Sequence, residues 1–277
     1  MAFNKDSVVG TLTVALLVCL VCGIVVATAA VGLRPTQEKN RLLDKQMNIL
    51  QAAGLYEPGM DVDAAFDRIE RRFVDLDSGE YVDMPASYDQ RKAAKDPQAS
   101  TTLSGAEDIA SIRRRPNVAE VFLSKDDNGD VKTVILPISG YGLWSTLHGF
   151  IALESDINTV TGLGFYEHAE TPGLGGEVDN PRWKALWPGK ELFDDSGELA
   201  IEVVKGTVDS NASGAEHKVD GLAGATLTTK GIDNLVRFWL GEKGFGPYID
   251  RLRADAAAPA ARQDNGAEDA VTLSAVN

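Results

Sequence analysis

Cysteine is nearly missing: Cys19 and Cys22 are the two present, and both fall inside an N-terminal apolar run. The rest of the chain therefore holds no disulfide framework and no cysteine-ligated metal. Histidine occurs three times, as His148, His168 and His217, at no recognisable metal spacing. Cationic side chains are also scarce, with 27 Lys and Arg against 41 Asp and Glu and a formal net charge of −14. A nucleic-acid role would need a basic patch against that repulsive background, so nucleic acid is excluded as a partner. No Walker A lysine and no dinucleotide glycine fingerprint accompanies the glycine-rich loops, and no nucleophile elbow surrounds Ser145 and His148. Nucleotide-triphosphate, Rossmann and serine-hydrolase readings fall with them.

What is present suffices for a folded protein, since 277 residues that are 44% hydrophobic supply one large or two small cores. The run "VVGTLTVALLVCLVCGIVVATAAVGL", residues 8–33, carries no charge and exceeds the roughly 20 residues that cross a bilayer as a helix. "ATA" at 27–29 resembles a signal-peptide cleavage site, but a leader's apolar region is about 7–15 residues, so an anchor is the better reading. Cys19 and Cys22 then read as small apolar fillers of that helix. Lys5 precedes the run whereas Arg34, Lys39, Arg41 and Lys45 follow it, and a positive-inside count places the following domain in the cytoplasm.

Beyond a short cap at 1–7 and the anchor at 8–33, a juxtamembrane helix is expected over 34–57, with Leu42, Leu43, Met47 and Leu50 at helical spacing. Ala65, Phe66, Ile69 and Phe73 mark a second apolar face. Residues 80–116 read as a long surface excursion or a short helix with flexible flanks. "VAEVFLSK" and "VKTVILPI" flank Asn128-Gly129, a strong hairpin signal, and the acidic residues of that turn lack the spacing of a calcium loop. "GFIALES", "VTGLGFYEH" and "ELAIEVVKG" add strand-like runs. The fold class is thus α+β: a transmembrane helix, then a domain over 58–253 with a mainly antiparallel sheet and flanking helices. The tail over 254–277, Ala-rich and polar, reads as disordered.

Late in the domain stands "DGLAGATLTTKGI", residues 220–232. Ile232, Leu235, Val236, Trp239 and Leu240 follow at i, i+3, i+4, i+7, i+8, one face of an amphipathic helix that Gly241 ends. Thr229 is a plausible N-cap, which leaves Gly221, Gly224, Ala225 and Thr226 in a loop at the helix start. Such a terminus suits a phosphate, and Gly224 and Ala225 leave room for a bulky group near the backbone. A purely structural capped helix reads equally well from these residues alone.

"DGLAGAT" resembles the signature Asp-Gly-x-Ser/Thr-Gly-Ala-Thr of the FMN-binding-domain family, whose members receive covalent FMN from a dedicated flavin transferase. "LRPTQEKNRLLDKQMNILQAAGL", "GYGLWSTLHGF", "HAETPGLGGE", "EHKVDGLAGATLT" and "FWLGEKGFGPY" extend the likeness. Together they resemble the C subunits of bacterial sodium-translocating NADH:quinone reductases, from the anchor to about residue 253. The loop by itself would also fit the G subunits of Rnf-type electron-transport complexes, which use ferredoxin-linked electron flow. Where the family pattern usually has Ser or Thr, this chain has Ala223; the departure bears on transferase recognition or a local hydrogen bond, not on the acceptor hydroxyl.

The resemblance implies one covalent FMN per chain, esterified through its phosphate to Thr226, with Thr228 and Thr229 as loop or cap residues. Asp220 is a candidate for holding the loop or positioning the hydroxyl, or is a solvated turn residue. His217 and Lys218 add positive charge nearby or are simply exposed. The resemblance places Thr171, Gly173, Gly175 and Leu174 in a second flavin loop, against a plain Pro-Gly turn, and puts Leu143, Trp144 and Ser145 near the cofactor, with Trp144 otherwise a core residue. It further implies an electron-carrying subunit, inactive alone and without catalytic side chains or metal ligands of its own. The implied complex of the bacterial inner membrane oxidises NADH at another subunit, reduces ubiquinone and exports sodium. The expected partners are the other subunits, the flavin transferase during maturation and membrane lipid. The family places the domain in the periplasm, against the charge count. A rival of another class is a membrane-anchored module that holds a phosphorylated ligand noncovalently at the same helix start.

Overall fold

A computed structural model describes residues 7–126 and 128–256. The chain divides into one unit that ends at Lys45 and another that begins at Gln46. Helix α1, Val8–Ala52, supplies nearly all of the described first unit. It is the one described helix long and apolar enough to cross a membrane, and over residues 8–33 its large apolar side chains, with Cys19 and Cys22, are exposed. The apolar run and the segment after Pro35 form one continuous helix, although proline removes a backbone donor there.

In the second unit the elements in order are α2 Val62–Phe66, β1 Ile69–Asp75, α3 Gln90–Ala93, β2 Ser100–Thr102, β3 Arg114–Pro116, β4 Val118–Lys125, β5 Val131–Tyr141, β6 Thr146–Glu154, β7 Val160–Glu167, α4 Pro181–Lys184, β8 Glu202–Val203, β9 Lys218–Val219 and α5 Thr226–Leu240. Five strands form one antiparallel sheet in the order β1-β4-β5-β6-β7. The β4–β5 turn is tight as expected, with Gly129 at φ +91° and the Asp126 carboxylate accepting the N–H groups of Asn128 and Asp130.

Strand alternation sorts side chains to two cores. Val121, Leu123, Val134, Leu136, Ile138, Leu147 and Ile151 face α5, and Phe122, Ile135, Phe150 and Ala152 face Ile49, Leu50 and Ala52 at the end of α1. Both faces of the sheet are therefore buried. Ile232, Leu235, Val236, Trp239 and Leu240 are all buried, as their spacing requires. Each fully buried side chain of this size is worth about 1.5–3 kcal/mol, so packing rather than helix propensity anchors α5.

Three segments differ from the sequence expectation. The apolar face drawn through Ala65, Phe66, Ile69 and Phe73 is helical only to Phe66; Ile69–Asp75 is an edge strand paired residue for residue with β4, and sheet pairing overrides the helical spacing. "ELAIEVVKG" yields just Glu202–Val203, because Ala200 and Ile201 donate to the Leu192 carbonyl and Val203 donates to the Asp233 carboxylate instead of to a neighbouring long strand. The 80–116 excursion contains α3, capped by Asp89, and the β2–β3 ribbon. A last helix runs over 246–256; the remainder of the expected tail, and the cap at 1–6, lie outside the described residues.

Candidate functional site

Helix α5 begins three residues before the expected cap. Its N-cap is Ala225, which has no side-chain acceptor for the first turn. The leading N–H groups of a helix have no intrahelical partner, and here no side chain at the cap covers them. Thr229 lies inside the helix and works backwards, its hydroxyl accepting the Leu222 N–H at 2.9 Å, so the loop curls over the first turn. Gly224 bridges loop and helix at φ +73°, a left-handed conformation that glycine adopts without strain. A Cβ there would also meet Leu174 Cδ2 at 3.2 Å, which places the second glycine-rich loop directly beside the helix start.

The three threonines of the first turn differ sharply. Thr228 is 1% exposed and donates its hydroxyl to Glu170 Oε2 at 2.7 Å, and Thr229 is buried under the loop. Thr226 is exposed, and among the described residues nothing engages its hydroxyl. Leu227 beside it is 62% exposed.

Sequence reasoning missed Glu170. This carboxylate, 5% exposed, accepts the N–H groups of Leu143, Trp144 and Ser145 on Oε1 at 3.1, 2.9 and 3.2 Å and the Thr228 hydroxyl on Oε2. Burial opposes its charge, but the three N–H groups and the hydroxyl outweigh that cost and hold it below the usual glutamate range. Gly175 makes the room: a Cβ there would stand 2.6 Å from Thr228 Oγ1 and 2.7 Å from Glu170 Oε2. The ties run both ways, since Ser145 Oγ accepts the Ala169 N–H at 2.7 Å and His168 Nδ1 accepts the Glu170 N–H at 3.2 Å. The one signal in the sequence is a carboxylate without a lysine or arginine beside it in "HAETPGLGGE", a weak one because only folding shows what it accepts.

The fold thus gathers the 142–145 loop, the 168–176 loop and the start of α5. Leu143 and Leu174 are exposed there, and Trp144 is 66% exposed, which removes its reading as a core residue. Thr171 and Gly173 are exposed on the second loop, whose turn is closed by Leu174 and Gly176 N–H groups donating to the Thr171 carbonyl. Asp220 faces elsewhere: its carboxylate accepts the Val208 N–H at 2.8 Å and its carbonyl accepts Trp183 Nε1–H, so it fastens the approach to the loop. His217 Nδ1 lies 3.0 Å from the Glu191 carbonyl. A cavity of about 440 Å³ is lined by Asp220 together with Lys190, Val208 and Lys218, and Thr226 is not part of its lining.

A family model for the FMN-binding domain matches residues 142–241, from the first of these loops to the cap that ends α5. The chain is 59% identical over 256 residues to the C subunit of the Na(+)-translocating NADH-quinone reductase of Pseudomonas aeruginosa, covering 90% of this chain and 98% of that protein. It belongs to the family of these C subunits. The Yersinia pestis member is 52% identical, over 91% of this chain and 96% of its own length. The crystal structure of Shewanella oneidensis NqrC superposes with a TM-score of 0.70 at 38% identity, covering 78% of this chain and 99% of that one. Family membership agrees with the antiparallel sheet, the flanking helices and the long N-terminal helix, which has the composition of a membrane anchor.

Proposed function

We propose that the chain is the covalent-FMN electron carrier of an inner-membrane complex that oxidises NADH, reduces ubiquinone and exports sodium ions. The observation that carries this reading is the contrast among the threonines: Thr226 offers an exposed hydroxyl at an uncapped helix start, while Thr228 and Thr229 are buried and engaged. The residues fit the group. The helix start complements a phosphate through its N–H groups and dipole, and exposed Leu143, Trp144 and Leu174 offer apolar surface to a flat ring. Bound FMN supplies reversible electron uptake, and the chain supplies attachment and orientation.

In attachment Thr226 would supply the oxygen of the new P–O bond, its proton passing to a base of the flavin transferase while the P–O bond to the nucleotide half of a flavin dinucleotide breaks and that half departs. Such a tether suits a periplasmic domain, where lost FMN would not readily be replaced. A reporter fused after residue 277 is expected to be active on the periplasmic side; activity confined to the cytoplasm would support the positive-inside count instead. Denaturation tests the attachment itself: flavin stays on the chain if the reading holds, and is released if the site is a noncovalent phosphoryl-ligand module. The purified protein alone is expected not to oxidise NADH, and rapid stoichiometric reduction by NADH would contradict a carrier role.

A further inference from the structure

We infer that Glu170 is a positioning residue that sets the flavin-facing loop against the attachment threonine, an inference resting on the covalent-FMN reading. Its two oxygens serve two different segments. Oε1 gathers three successive backbone N–H groups, Leu143 to Ser145, and Oε2 takes the hydroxyl of Thr228, two residues beyond Thr226. One buried carboxylate thereby fixes the spacing between the loop that bears Trp144 and the first turn of α5. The chamber around it is built for that group, because a Cβ at Gly142 would stand 2.7 Å from Oε1 and one at Gly175 2.7 Å from Oε2. Backbone dipoles and one hydroxyl, rather than a cationic side chain, hold the carboxylate, so only an acceptor of this shape completes the set.

Thr226 itself makes no such contact. What Glu170 controls is whether the acceptor hydroxyl and the apolar surface meet the same incoming flavin. Loss of the carboxylate should slow attachment and alter the flavin's surroundings while the sheet stays folded.

The test uses the full chain with its flavin transferase and a flavin dinucleotide, in wild type, Glu170→Ala, Glu170→Gln and Thr228→Val. Before any flavin is added, hydrogen exchange at the Leu143, Trp144 and Ser145 amides should quicken about tenfold or more in Glu170→Ala, the factor that one charge-assisted hydrogen bond carries. Initial FMN incorporation at Thr226 should fall by about the same factor, and the flavin visible circular dichroism and midpoint potential of the modified fraction should shift. Glu170→Gln, which keeps the shape and one acceptor oxygen, should recover part of each. Thr228→Val should preserve amide protection at 143–145 and still slow incorporation. Glu170→Ala that folds, protects those amides or incorporates FMN like wild type, and shows an unshifted flavin overturns the inference. If Glu170→Ala does not fold, unchanged incorporation and an unchanged flavin spectrum in Thr228→Val overturn it. Wild type without an adduct at Thr226 defeats the attachment reading instead, and amide exchange then decides the role of Glu170 by itself.

Discussion

The two ends of helix α5 are built on opposite terms. From Ile232 to Leu240 the helix drives one apolar face into the sheet, with Trp239 buried and its indole N–H donated to the Ser139 carbonyl at 2.6 Å. At Thr226 and Leu227 the same helix meets water without a side-chain cap. A helix stabilised at its far end tolerates an unsatisfied start, and that start is where a phosphate gains most. The difference teaches that stability and chemistry are divided along one element, with Thr228, Thr229 and Glu170 marking the boundary.

Substitution can break the comparison at either end. Trp239→Ala should destabilise the domain by about 3–5 kcal/mol through the cavity it leaves, with the Ser139 carbonyl also losing its donor, as read by denaturant unfolding of the full chain. Gly224→Ala should cost about 1–2 kcal/mol, because an L-residue is forced left-handed there and Leu174 must give way. Thr226→Ala should change unfolding by no more than about 0.5 kcal/mol, as expected for an exposed position outside the core. A large loss at Thr226 would mean that the helix start is structural after all.

Acid sharpens the boundary between the two ends. The ordinary value for a glutamate is 4.5, and Glu170 titrates below it in the folded protein. Its stabilisation is therefore complete above pH 4.5 and is lost as pH falls through the folded value. Protection of the Leu143–Ser145 amides, taken as intrinsic over observed exchange at each pH, should fall over that acidic range in wild type, whereas in Glu170→Gln this step should be missing.

Much of this was legible in the residues. Runs flanking the Asn128-Gly129 hairpin signal, such as "VAEVFLSK", became strands, the i, i+3, i+4 set became the buried face of α5, and the small-residue loop does lie at that helix's start. Two kinds of feature were not. Ile69 and Phe73 fit a helical stripe and an edge strand equally, and only pairing with β4 decides between them. Glu170 and Thr229 act through hydrogen bonds to backbone groups far away in sequence or earlier in the loop, which no local spacing encodes. Asp220, singled out for its place in the motif as a residue that holds the loop or positions the hydroxyl, ties down the Val208 backbone, a partner that the motif does not name.

Everything proposed for the flavin depends on its attachment at Thr226. Intact-mass spectrometry and peptide mapping of the denatured full chain, produced with its flavin transferase, test it most directly beside Thr226→Ala and Thr228→Val. An FMN adduct is expected on Thr226 in wild type and in Thr228→Val, and none in Thr226→Ala. An adduct that persists in Thr226→Ala, or a wild-type chain left unmodified by a transferase active on another substrate, would contradict it.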